Sequence, residues 1–289
     1  MQLQSPVRLP IELFAGGLAF VLVSALIFWP LEEVFEGERP MRPRFKDLAF
    51  LWFYQSYGLW LAVGLVYELD FLLRQLLPSK WLSFVQHRPF WLQAAAALLL
   101  AEVWVNLAHR LSHGWSFLWR FHRVHHTVTE MTWSASSRQH PVDFLFIIVG
   151  ANLPAMMLGI DLRSIAALLV SERVYTVLLH SNIRLDWGWF SRIVASPSLH
   201  RVHHLPAGFD KNYAGILSLL DVLGNTYESP ARSVRLRSGP LGLELLPLRQ
   251  RFPHFRRLTS LEGQAERENP PESKVVPSTA QAQAGSRGN

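Results

Sequence analysis

Five stretches of this chain are apolar for long enough to raise the question of a bilayer. Residues 13–30 carry no charge, with Glu12 just ahead of them. Their length and the lack of an A-x-A site fit an anchor rather than a cleaved signal. Residues 48–67 form a second uncharged run with Trp and Tyr near its ends, where interfacial anchors belong. A third, residues 90–101, predicts a helix that continues through Glu102 and Asn106 to His109. Residues 144–160 make a fourth, with Pro154 and Gly159 inside it. After the polar "DLR", a fifth run covers residues 164–179 and is interrupted by Glu172 and Arg173. Those two charges predict that its later half faces protein or a polar cavity rather than lipid. Runs four and five read as a helical hairpin. From about Leu258 onward large apolar residues almost vanish, which predicts a disordered tail.

Composition points the same way. Apolar residues make up 49% of the chain and charged ones only 17%, with 11 Trp and 18 Phe; that much greasy surface exceeds what a water-soluble core hides. The chain has no Cys, which excludes disulfides and thiolate metal ligands. A net charge of +6, mostly Arg and concentrated in the C-terminal third, fits a tail beside anionic lipid. No basic helix interleaved with stacking aromatics is present, so nucleic acid is not an expected partner. If all five runs span, the positive-inside rule places the basic tail and the loop holding Arg39, Arg42, Arg44 and Lys46 in the cytoplasm, and the N-terminus outside. The expected divisions are 1–89 as N-terminal membrane anchor spans, 90–230 as a catalytic domain, 231–257 as a basic C-terminal segment and 258–289 as the disordered tail.

Of the 12 histidines, all but His87 and His254 fall between His109 and His204. "HRLSH" supplies His109 and His113 at i and i+4. "HRVHH" supplies His122, His125 and His126, and the same pentapeptide recurs 78 positions later as His200, His203 and His204. In a helix each spacing gathers its rings on one face. Imidazole is the commonest transition-metal ligand, and eight rings exceed what one ion uses, so two metal ions are the economical expectation. His180 closes the fifth run on the same side and joins the candidate ligands. His140, followed by Pro141, is either a further ligand, a group that orients one, or a helix cap. Asp143, Glu102 and Asp210 are the acids placed to orient rings. Glu-x-x-His pairs and H-E-x-x-H are both missing, which argues against a soluble-type carboxylate di-iron site and a zinc metalloprotease.

The set H-x3-H, H-x2-HH and H-x2-HH, interleaved with spans, resembles the fatty acid hydroxylase and sterol desaturase superfamily of membrane di-iron oxygenases. "WRFHRVHHTVTEMTW", "SRQHPVD", "LLHSNIRL", "SPSLHRVHHLP" and "DKNYAGILSLLDVLGNTY" resemble segments of its bacterial members in the same order. The resemblance implies that two iron ions are held by His109, His113, His122, His125, His126, His180, His200, His203 and His204. It implies O2 as co-substrate, a lipid or other hydrophobic small molecule as substrate, and an external electron donor of the ferredoxin or reductase type. It further implies a bacterial inner-membrane location with the active site facing the cytoplasm. Two departures stand out: Thr176 occupies a position where some relatives carry histidine, and Asp143 one where many carry Glu.

The expected fold is therefore all-α, an integral membrane helical bundle with about four to five spans and a cytoplasmic histidine-rich helical cap holding a dimetal site. The expected function is an O2-dependent hydroxylase acting on a C–H bond, with Trp104, Trp133 and Tyr175 as candidate pocket walls. Desaturation of the same substrate class, a non-catalytic metal-binding or transport protein, and a zinc-dependent membrane hydrolase remain as alternatives. Zinc is a possible occupant of a purified sample, because it outcompetes ferrous iron for nitrogen ligands.

Overall fold

A computed structural model describes residues 8–35, 43–128, 130–205 and 208–230. The basic segment 231–257, the tail 258–289 and the loop cations Arg39 and Arg42 lie outside the described residues.

The helix is the one regular element among the described residues, which contain no β-strand. Each apolar run becomes a helix. The first is α1 (Arg8–Val34). The second begins as α2 (Phe45–Phe53), passes through one π-helical turn (Tyr54–Gly58) and continues as α3 (Leu59–Leu76). A short α4 (Ser79–Gln86) leads to α5 (Phe90–Gly114), which extends the third run past His109 to include His113. The stretches Pro10–Val34, Phe45–Leu76 and Phe90–Gly114 are long and apolar enough to cross a membrane. The fourth run is the shorter apolar α7 (Pro141–Met157), which follows α6 (Ser116–His122). The fifth is α8 (Leu162–His180), which carries Arg163, Glu172 and Arg173. The chain is a membrane protein.

The turn between α7 and α8 explains the hairpin. Gly159 adopts φ 78°, the left-handed region that glycine enters without strain. The Ile160 N–H then reaches back to Ala155 O at 3.1 Å and the Gly159 N–H to Met156 O at 2.9 Å. This pair of bonds ends a helix by satisfying its last carbonyls. Asp161 immediately caps α8, its carboxylate accepting from the Arg163 N–H at 2.8 Å.

Cross-chain bonds give the bundle two distinct ends. At one, Arg74 donates to Ile160 O at 2.7 Å, the Trp81 indole to Leu158 O at 3.0 Å, and the Asp161 N–H to Gln93 Oε1 at 2.9 Å. At the other, Glu32 at the end of α1 accepts from the Trp133 and Asn182 N–H groups at 2.7 and 2.8 Å. There too Asp47 at the start of α2 pairs with the buried Arg138, whose Nε lies 2.6 Å from Oδ1. Helices α7 and α8 therefore run the length of the bundle, leaving the second end and returning to it. The core between them packs α3, α5, α7 and α8 around Ala97, Ala101, Phe144, Ile148 and Ala151. Gly150 lets α5 lie close to α7, since a Cβ there would sit 2.2 Å from the Trp104 ring. The histidines collect at the end marked by Glu32 and Asp47.

Candidate metal centre

All nine histidines expected as ligands converge at that end, and they form two groups. One is His109, His113, His122, His126 and His203; the other is His125, His180, His200 and His204. Within each group the donor atoms all lie within 4.8 Å of one another. Every ring but His126 is buried, and that one is half-buried.

The grouping does not follow the sequence boxes. "HRLSH" sends both rings to the five-histidine group, but each "HRVHH" straddles the two. The first copy gives His122 and His126 to one group and His125 to the other; the second gives His203 to one and His200 with His204 to the other. The expectation of three rings on one helical face is corrected for the first copy. Helix α6 ends at His122, and after a turn His125 opens a separate 3-10 turn, His125–Thr127. His203, the equivalent ring of the second copy, parts from its neighbours in the same way on an unbroken helix. The second copy lies on α9 (Pro197–His203), started by Pro197 and by the Ser196 hydroxyl, which accepts from the Leu199 N–H at 3.1 Å.

Hydrogen bonds on the far side of the rings fix which nitrogen faces inward. The Nδ1 of His109 lies 2.8 Å from Tyr213 O, that of His203 2.7 Å from Lys211 O, and that of His180 2.8 Å from Thr176 O. His125 Nδ1 is 3.3 Å from Arg138 O. A carbonyl oxygen only accepts, so each of these Nδ1 atoms carries the ring proton and each Nε2 is a bare lone pair. His122 Nδ1 meets the Asp143 carboxylate in the same way, at 3.1 and 3.2 Å.

The inward nitrogens are consequently crowded with lone pairs. His180 Nε2 lies 3.3 Å from His125 Nε2, and neither has a proton to share. Other inward Nε2 pairs stand as close: His126 and His113 at 3.1 Å, and His203 and His126, His200 and His180, and His204 and His200 each at 3.2 Å. The Nε2 atoms of His109 and His122 are buried without any hydrogen-bond partner, which costs about 1–3 kcal/mol apiece. A cation at the centre of each group turns that repulsion into coordination. Nitrogens about 2.1 Å from one ion stand roughly 3.0–3.4 Å apart, between octahedral and tetrahedral angles, which matches these spacings. Burial also favours the neutral, coordinating form of several rings. It pushes His125, His126, His200 and His204 well below the usual histidine range, and His203 down to about 3. The donor set thus fits two transition-metal ions, and the two groups could hold one each.

His140 belongs to neither group. Its Nδ1 accepts from the Val142 N–H at 3.1 Å, capping α7, and its ring packs on Phe121. Of the three acids expected to orient rings, Asp143 meets His122. Glu102 Oε2 instead accepts from the Ile216 and Leu217 N–H groups, both at 2.7 Å. Asp210 meets the Tyr213 hydroxyl at 3.4 Å.

The acid that sequence reasoning missed is Asp221, fully buried on the short helix α10 (Leu219–Leu223). It accepts from the Tyr213 and Ala214 N–H groups at 3.0 and 2.8 Å and from Thr226 Oγ1 at 2.7 Å. In this way it holds the loop whose Lys211 and Tyr213 carbonyls orient His203 and His109. Its one sequence signal was an acid set inside the apolar run "LSLLDVLG".

A cavity opens against both groups, lined by His109 and His122 of one and by His125, His180 and His200 of the other. Its remaining wall is mostly apolar, with Val105, Ile147, Ile148, Ala151, Leu179 and Ile216, plus Tyr175, Glu172 and Arg173 from α8. The two charges on α8 do line an interior cavity. Tyr175 lines it as expected, whereas Trp133 and Trp104 pack into apolar clusters instead.

Residues 94–226 match the fatty acid hydroxylase family model. The chain is 32% identical over 157 residues to an ornithine lipid hydroxylase of Rhizobium tropici, covering 54% of this chain and 45% of that protein. It is 31% identical over 126 residues to an alkylglycerol monooxygenase of Danio rerio (41% and 27%), and 28% over 148 residues to a Delta(7)-sterol 5(6)-desaturase of Candida glabrata (51% and 39%). The aligned stretch spans less than half the length of each of these relatives. No solved structure matches. The stretch that matches the fatty acid hydroxylase family model, residues 94–226, carries all nine grouped histidines.

Proposed function

We propose that the protein is an O2-dependent hydroxylase that oxidises a C–H bond of a lipid or other hydrophobic substrate. In this reading one iron ion is held by His109, His113, His122, His126 and His203, and a second by His125, His180, His200 and His204. The observation that carries it is the inward set of nine clustered ring nitrogens, five of them held as bare lone pairs, bordering a largely apolar cavity. Two irons held there would supply the reductive activation of O2 that breaking an unactivated C–H bond demands.

The chain's own residues do the rest. Backbone carbonyls at Arg138, Thr176, Lys211 and Tyr213, with the Asp143 carboxylate, hold the ring protons at Nδ1 and aim each Nε2 inward. The apolar wall keeps water away from the reacting carbon, so that substrate meets the oxidant instead of solvent. Overall, R–H, O2, two electrons and two protons give R–OH and water. The electrons come from a separate ferredoxin- or reductase-type donor reaching the histidine end, which on the positive-inside reading faces the cytoplasm of a bacterial inner membrane.

The test is to load the purified protein with ferrous iron, count the metal, and supply reductant, O2 and host membrane lipids. A lipid that gains one oxygen atom is the expected product. Loss of two hydrogens instead would make the protein a desaturase, the reading favoured by the sterol desaturase among its relatives. Ion flux in liposomes with no O2 consumption would contradict both.

A further inference from the structure

Helix α8 carries two charged residues into the cavity that no step above employs. Glu172 and Arg173 are neighbours in the sequence, and both line the cavity shared with five of the grouped histidines. Glu172 Oε1 is buried with no hydrogen-bond partner. The Arg173 guanidinium lies 5.7 Å from the centre of the Phe144 ring, a weak cation–π contact. Among the described residues no ion pair joins the two, and no hydrogen bond engages either side chain. A carboxylate and a guanidinium left unpaired against an apolar wall are costly. Consecutive residues of a helix do not face each other, so neither side chain satisfies the other, and both line the cavity.

We propose that Glu172 and Arg173 form a polar anchor for the substrate, and that the substrate is an amphiphile with a zwitterionic polar group. Its acidic oxygen is bound by Arg173, the side chain suited to forked hydrogen bonding of a carboxylate or phosphate; its ammonium is bound by Glu172. The proposal rests on the cavity being the substrate site of the hydroxylase reading. It also supplies a ruler. Glu172 precedes His180 by two helical turns, about 12 Å at 1.5 Å per residue, with Thr176 between them on the cavity wall. Gripping the polar group there sets which carbon lies beside the histidines.

The test is a binding measurement, independent of turnover. Metal-loaded protein in lipid nanodiscs is titrated with three amphiphiles of one chain length: an Nε-acyl-lysine (zwitterionic), a fatty acid (anionic only) and an alkylamine (cationic only). The acyl-lysine is expected to bind roughly tenfold or more tightly than either single-charge analogue, the value of one charge-assisted hydrogen bond. Arg173→Gln should erase its advantage over the alkylamine, and Glu172→Gln its advantage over the fatty acid, with metal content unchanged in both. Equal binding of all three by the wild-type protein, or variants that keep the wild-type ranking, would overturn the proposal. A variant that misfolds is recognised by lost metal, and the wild-type ranking then decides alone. Failure to oxidise any lipid would sink the hydroxylase reading and leave this ranking as it stands.

Discussion

At the scale of single residues, the cluster is organised from behind. Each carbonyl that takes an Nδ1 proton turns one imidazole into an inward donor, so the loop carbonyls matter as much as the rings. This makes Asp221 a positioning residue. Asp221→Ala strips the Tyr213 and Ala214 N–H groups of their partner and is expected to lower metal affinity about 10–100-fold. The measurement is metal retained after dialysis against a graded chelator, with Asp221→Asn recovering part of the loss; unchanged retention in the alanine variant would contradict the role. Replacing one ring from each group separates the groups. His113→Ala and His204→Ala should each weaken one site, leaving about one metal per chain. The histidines themselves are legible in the sequence, because residue type and spacing carry their chemistry. Their sharing between two groups is not, since in both copies the first and last rings join one group and the middle one the other, an assignment set by which rings of other segments face them. Nor does spacing mark Tyr213 O or Lys211 O, because a backbone carbonyl acts identically whatever side chain it bears.

Among elements, the long apolar helices are the most legible feature: all five runs are helices, with ends moved by a few residues to a cap. The π-helical turn inside the second rod left no such trace. It places Tyr54 against Phe144 at 4.5 Å and lets its hydroxyl donate to Gln139 O at 3.0 Å, two long-range contacts that local pattern does not encode. Two interfaces carry predictions. Gly150→Val drives a side chain into the Trp104 ring and should cost about 1–3 kcal/mol by overpacking; Trp104→Ala in the same chain should return part of it, as thermal unfolding in detergent will show. Arg138 joins the second rod to the centre, through Asp47 on one side and through its own carbonyl on His125. Arg138→Met leaves Asp47 buried and unpaired, an expected loss of about 3–5 kcal/mol.

At the scale of the whole molecule, the two ends of the bundle decide topology. With three spans or five, the histidine end lies on the same side as the end of α1 and the start of α2; with five, the α7–α8 turn lies on the opposite side. The chain has no native cysteine, so single cysteines report sidedness cleanly. Arg163→Cys, whose side chain is 90% exposed at the far end, should react with an impermeant maleimide from outside the cell. Trp189→Cys, 75% exposed in the segment that follows α8 back at the histidine end, should react only after permeabilisation. The reverse pattern would invert the proposed orientation. Metal removal should also loosen the whole bundle, since nine crowded ring nitrogens then face one another without an ion; an ion at a hundredfold excess over its Kd stabilises by about 2.7 kcal/mol per site. The central claim is that the histidine centre inserts an oxygen atom taken from O2. It is tested most directly by turnover of the iron-loaded protein under heavy-isotope dioxygen, followed by mass analysis of the oxidised lipid. About two irons per chain and one heavy oxygen in each product molecule are expected; an iron-free active protein, or product oxygen drawn from water, would contradict it.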